Sequence, residues 1–78
     1  MSIYTGSLIE LIDDTTGICM VEKYSFMHTQ NIYVKKGFYL VLDIVGSKIN
    51  FYVEILYNSI SVLIFSGNIR KVSRIIEQ

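Results

Sequence analysis

The side chains that could carry chemistry in this chain are few and scattered. His28 is the one histidine and Cys19 the one cysteine. A zinc site needs three or four ligands, and these two would have to recruit carboxylates from elsewhere. Asp13 and Asp14 adjoin each other in "DDTTG". Neighbouring carboxylates ahead of Thr-Thr-Gly suit the capping of backbone amides in a turn better than catalysis. Ser7, Ser25 and Ser61 lack a G-x-S-x-G setting and a matching acid–histidine pair. No glycine cluster is arranged to cradle a phosphate. The residues therefore predict no enzyme, no metal centre and no cofactor.

The totals restrict the rest. Seventy-eight residues make one domain, spanning 1–78. A chain this short buries only about 60–65% of its unfolded surface, so its stability margin is thin. A lone cysteine permits no internal disulfide. Cys19 sits in the apolar run "GICMV" and reads as a buried, reduced thiol, which favours a reducing, cytoplasmic setting. A basic segment followed by a long apolar one does not open the chain, so no leader peptide is expected. No apolar run approaches the roughly 20 residues of a membrane span.

Seven basic and seven acidic side chains cancel. Their distribution is uneven. Residues 1–34 hold Glu10, Asp13, Asp14 and Glu22 against Lys23. Residues 35–78 hold six lysines and arginines against Asp43, Glu54 and Glu77. Lys35, Lys36, Arg70, Lys71 and Arg74 are the residues that would face phosphates if the basic half bound nucleic acid. Hydrophobic residues reach 51%, with six tyrosines and four phenylalanines. So small a domain cannot hide them all, and some apolar surface should meet another chain.

The elements that must position these residues read as strands. "SLIELI" (Ser7–Ile12) and "ICMVEKY" (Ile18–Tyr24) form a hairpin about the "DDTTG" turn. "SFMHTQN" reads as a loop and "IYV" (Ile32–Val34) as a short strand before the basic turn "KKG". In "FYLVLDIV" (Phe38–Val45) the alternation sets Phe38, Leu40, Leu42 and Ile44 on one face. In "INFYVEIL" (Ile49–Leu56) it sets Ile49, Phe51, Val53 and Ile55 together. "ISVLIF" (Ile60–Phe65) is apolar on both faces, as in a central or covered strand. "NIRKV" has a cap candidate in Asn68 and suits one helical or 3₁₀ turn. "SRIIEQ" continues as a short strand or a helix. The predicted core is Leu40, Leu42, Ile44, Phe51, Val53, Ile55, Val62 and Ile64. Five to six strands with one late helical turn give an all-β fold, a small, strongly bent antiparallel barrel.

That order resembles the SH3-like barrel over Val34–Ile75. "VKKGFYLVL" is similar to the family's "F-x-K-G-D-x-h-x-h-h" segment. "INFYVEIL-YNS-ISVLIF" is similar to its third and fourth strands around the distal turn. "SGNIRKV" is similar to the "P-S-N-Y-V" turn before the final strand. "GSLIELIDDTTGICMVEKY" is similar to the "G-x-h-V-x-h" opening of bacterial and viral relatives, among them small uncharacterised SH3-like proteins of tailed phages. Departures from the pattern bear on function. There is no Trp; Phe51 and Tyr52 lie near its position. Gly67 and Arg70 or Lys71 fall where the proline-gripping Pro and Tyr would be. The resemblance thus implies a barrel without the usual proline-motif groove.

The function expected from residues and resemblance together is a non-enzymatic protein–protein interaction module. It would be self-associating, a homodimer or part of a complex, and a phage or mobile-element product acting on a host protein. Its interface would use Tyr39, Tyr52, Leu63 and Phe65, the aromatic and apolar residues assigned to outer strand faces. The alternatives are a nucleic-acid-binding barrel using the basic half and a structural subunit of a larger assembly. Neither a small-molecule substrate nor a membrane is implied.

Overall fold

The computed structural model describes residues 5–20 and 29–75. Within them lie seven strands and one helix. These are β1 (Leu8–Leu11), β2 (Thr15–Met20), β3 (Thr29–Val34), β4 (Gly37–Gly46), β5 (Phe51–Tyr57), β6 (Ile60–Phe65), α1 (Ser66–Val72) and β7 (Ser73–Ile75). All pair antiparallel, in the order β3-β2-β6-β5-β4-β1-β7. The fold is all-β, as expected. The ladder does not close, however, and β3 and β7 form its two edges. It is an open sheet bent around one core rather than a closed barrel.

The core is Ile9 and Leu11 of β1, Val34, Val41, Val53 and Ile55, Val62 and Ile64, and Ile69 of α1. Val53, Ile55, Val62 and Ile64 follow the predicted alternation along β5 and β6. Tyr57 pairs with Ile60 across a two-residue turn. Asn58 and Ser59 both hold positive φ, 49° and 68°, the hairpin geometry that matches strand twist.

β4 departs from its alternation. Val41 pairs with Ile55, and the next pair is Asp43 with Glu54, so Leu42 is an extra residue in the ladder. Such a bulge exchanges the faces of the strand on either side of it. Before it, Tyr39 and Val41 point to the core; after it, Ile44 does. Leu40 is therefore 45% exposed and Phe38 60%, where unbroken alternation would bury both. Leu42 and Phe51 are half-buried rather than fully inside.

The opening hairpin is also corrected. β1 pairs with β4 and β7, whereas β2 pairs with β3 and β6. "DDTTG" is a corner rather than a reversal, and its Thr15–Gly17 already belong to β2. The Asp14 carboxylate accepts the Lys36 N–H at 2.8 Å and the Tyr33 hydroxyl at 2.9 Å. It thereby ties the β1–β2 corner to the β3–β4 corner. These two hydrogen bonds, the Lys36 amide first, hold the Asp14 carboxyl below its ordinary range, and the bond to Asp14 raises the Tyr33 phenol above its own.

The C-terminal alternatives resolve to a helix followed by a strand. Ser66, not Asn68, opens α1; the residue before it is Phe65, which makes no side-chain cap. Buried Ser66 fixes the helix start through its hydroxyl, which accepts from Phe51 N–H and donates to Ile49 C=O, both at 3.4 Å. Ser73 donates to the Ile69 carbonyl at the other end. β7 then pairs with β1, placing Arg74 opposite Glu10.

Candidate docking face

The four predicted interface residues do not share one surface. Tyr39 turns inward; its ring lies 5.6 Å from that of Tyr57, and its hydroxyl donates to the Lys35 carbonyl at 2.6 Å. Its phenol is raised above the ordinary range chiefly by burial. Leu63 is only 3% exposed. It points away from the main core, in register with Glu54 on one side and Ile18 on the other. The β2–β3 hairpin explains its cover, since β2 lies alongside β6 at that point. The expected patch of Tyr39, Tyr52, Leu63 and Phe65 thus loses Leu63 to burial and keeps Tyr39 only half-exposed. Tyr52 and Phe65 are cross-strand partners with ring centroids 5.4 Å apart. With Leu63, Ile18, Asn31 and Asn68 they line a cleft of about 180 Å³ between the hairpin and α1.

The basic residues are likewise separated. Lys35 and Lys36 are exposed just before β4. Arg70 serves the opposite end of that strand, where its guanidinium lies 5.3 Å over the Phe51 ring and reaches the Ile49 carbonyl at 3.5 Å. The side chains of Lys71 and Arg74 are outside the described part. His28 also falls outside the described residues. Cys19 is half-buried in β2. Among the described residues, no three His, Cys, Asp or Glu side chains group as metal ligands. No described helix is long and apolar enough to cross a membrane.

What the fold does assemble is a row of leucines on the outside of the sheet. Leu8 on β1 pairs with Leu40 on β4. Leu56 on β5 stands one step beyond the Val41–Ile55 pair, beside Leu40. They are 38%, 45% and 47% exposed, and Phe38 lies two residues along β4 on the same face. Strands are about 4.8 Å apart, so the row spans roughly 10 Å. The row depends on the bulge, and nothing in "FYLVLDIV" marks where alternation breaks.

Beside that row the bulge puts two acidic residues in register. Asp43 and Glu54 are direct cross-strand partners. Their Cβ atoms are then about 4.5–5.5 Å apart, and like charges so placed are unfavourable. Asp43 also accepts the Ile44 N–H at 2.8 Å, which helps hold the bulge. β1, β4 and β5 contain no lysine or arginine. In register with this face, the basic residue among those described is Arg74 on β7, opposite Glu10.

No family model, curated protein or solved structure matches the chain.

Proposed function

We propose that this protein is a non-enzymatic protein-interaction module that docks through the outer face of β1, β4 and β5. The observation that carries the reading is the Leu8–Leu40–Leu56 row, three exposed leucines side by side on adjacent strands. A contiguous apolar face on a small domain is a surface for another chain. Sheets normally bury such a face beneath a second layer. The nucleic-acid reading has less support, because Lys35 and Lys36 lie at the other end of β4 from Arg70.

The element order supports an SH3-like ancestry for the module. A first strand, an inserted hairpin, a long bent strand, two more strands, a helical turn and a final strand beside the first follow in that sequence. A cytoplasmic setting and a phage or mobile-element origin belong to the same reading. Self-association was expected through Tyr39, Tyr52, Leu63 and Phe65; Leu63 is buried and Tyr39 packs on the core, while Tyr52 and the exposed Phe65 lie apart from the leucine row. A separate partner is the better occupant.

The test is site-specific photo-crosslinking in the cell of origin. A benzoylphenylalanine at position 40 should yield a discrete crosslinked species. The same probe at Lys48, in the β4–β5 turn, should not. Equal or absent crosslinking from the two positions would remove the docking face.

A further inference from the structure

We infer that the occupant of this face is a basic amphipathic helix of another protein, with leucine-like knobs for the apolar row and a lysine or arginine for the Asp43–Glu54 pair. The inference rests on the docking reading above and adds the partner's chemistry to it.

Apolar cover alone would leave Asp43 and Glu54 worse off. A layer laid over the leucines removes water from the neighbouring carboxylates, and a carboxylate that loses solvent needs a cation or hydrogen bonds. The strands that carry the row supply no cation of their own, since β1, β4 and β5 have no lysine or arginine, and Arg74 on β7 is in register with Glu10, level with Phe38 rather than Asp43. A second copy of this chain would present the same leucines with two further carboxylates. A partner bearing positive charge resolves the conflict, and the like-charge pair then discriminates against acidic competitors.

The spacing sets the pattern. Leu40 lies beside Leu56 and Asp43 beside Glu54, two residues apart on β5, so the bulged β4 covers only roughly 7 Å between them. Along a helix at about 1.5 Å per residue that distance is roughly four to five residues, a little over one turn. A helix with apolar residues at three- and four-residue spacing, and a lysine or arginine about one turn beyond one of them, meets both features from one side. A helix about 10 Å across also covers the breadth of the Leu8–Leu40–Leu56 row.

Fluorescence anisotropy with two labelled peptides tests this on the intact chain. One is an amphipathic leucine–lysine peptide of about 15 residues, long enough to hold a helix. The other has the same leucines and glutamate in place of every lysine. The lysine peptide should bind at least about tenfold more tightly, and added salt should weaken it. Leu40→Ser should abolish the binding. Glu54→Lys should reverse the preference between the peptides, and Glu54→Gln should reduce it; circular dichroism checks that each variant is folded. Equal binding of the two peptides would overturn the inference, as would an unaltered preference in Glu54→Lys. So would binding of neither peptide alongside concentration-dependent dimerisation that Leu40→Ser abolishes. The two readings fail separately. Crosslinks from position 40 into an acidic or uncharged segment would end this inference and leave the docking function intact, whereas no crosslink at all would end both.

Discussion

Ile55→Ala is expected to cost about 2–5 kcal/mol, and Leu40→Ala less than about 1 kcal/mol. Ile55 is fully buried at the centre of the core, flanked by Val41 on β4 and Val62 on β6. Truncating it removes apolar contacts and leaves a cavity that neighbouring strands cannot collapse to fill. Leu40 is nearly half exposed on the opposite face. Its truncation removes part of a surface patch and opens no cavity. For a small domain with about 5–15 kcal/mol in total, the first change is a large fraction and the second is minor. Urea unfolding of the two variants reads the difference. Equal losses would mean that both residues are inside and that the bulge does not invert the face.

Gly17→Ala should be the other large effect, about 1–3 kcal/mol. A Cβ at Gly17 would stand 2.5 Å from Cγ1 of Val62 and 2.9 Å from the Leu63 carbonyl oxygen. The valine is stiff and the carbonyl is backbone, so neither gives way cheaply. β2 must move off β6 at the point where Ile18 pairs with Leu63. Gly→Ala in a strand with room would instead be favourable, because alanine loses less backbone freedom on folding. The damage should be local. Amide exchange in β2 and β3 should accelerate more than in β5, since the hairpin joins the remaining sheet through that junction. A neutral or stabilising Gly17→Ala would show that β2 and β6 are not in such close contact.

The legible parts of the fold were those where local pattern and tertiary packing agree. In β5 and β6, alternation placed Val53, Ile55, Val62 and Ile64 inside, and the "YNS" turn fell at Asn58–Ser59. β4 was misread because a bulge is one extra residue, and every residue from Phe38 to Leu42 is apolar or aromatic. With such residues on both faces, alternation says nothing about which face is inside. The same ambiguity hid the inward turn of Tyr39. Leu63 was assigned to the surface because one sheet needs one buried face; the β2–β3 hairpin covers the other locally, through a pairing 45 residues apart in the chain (Ile18 with Leu63). The Asp13–Asp14 turn was recognised as amide-binding. Its carboxylate reaches Lys36, however, a distant amide that local turn rules do not supply. The candidate face was invisible for the first of these reasons: its central residue, Leu40, was placed in the core.

The outward face of Leu40 is the claim on which the docking account stands, and thiol labelling tests it most directly. In a Cys19→Ser background, Leu40→Cys and Val41→Cys are each exposed to a thiol reagent under native conditions. With Val41 buried against Ile55 and Leu40 outside, Leu40→Cys should label nearly as fast as an exposed Lys48→Cys control, and Val41→Cys should label only on unfolding. Rapid labelling of Val41→Cys with protection of Leu40→Cys would contradict the account: the leucine row would then be core, and the sheet would have no such face to offer a partner.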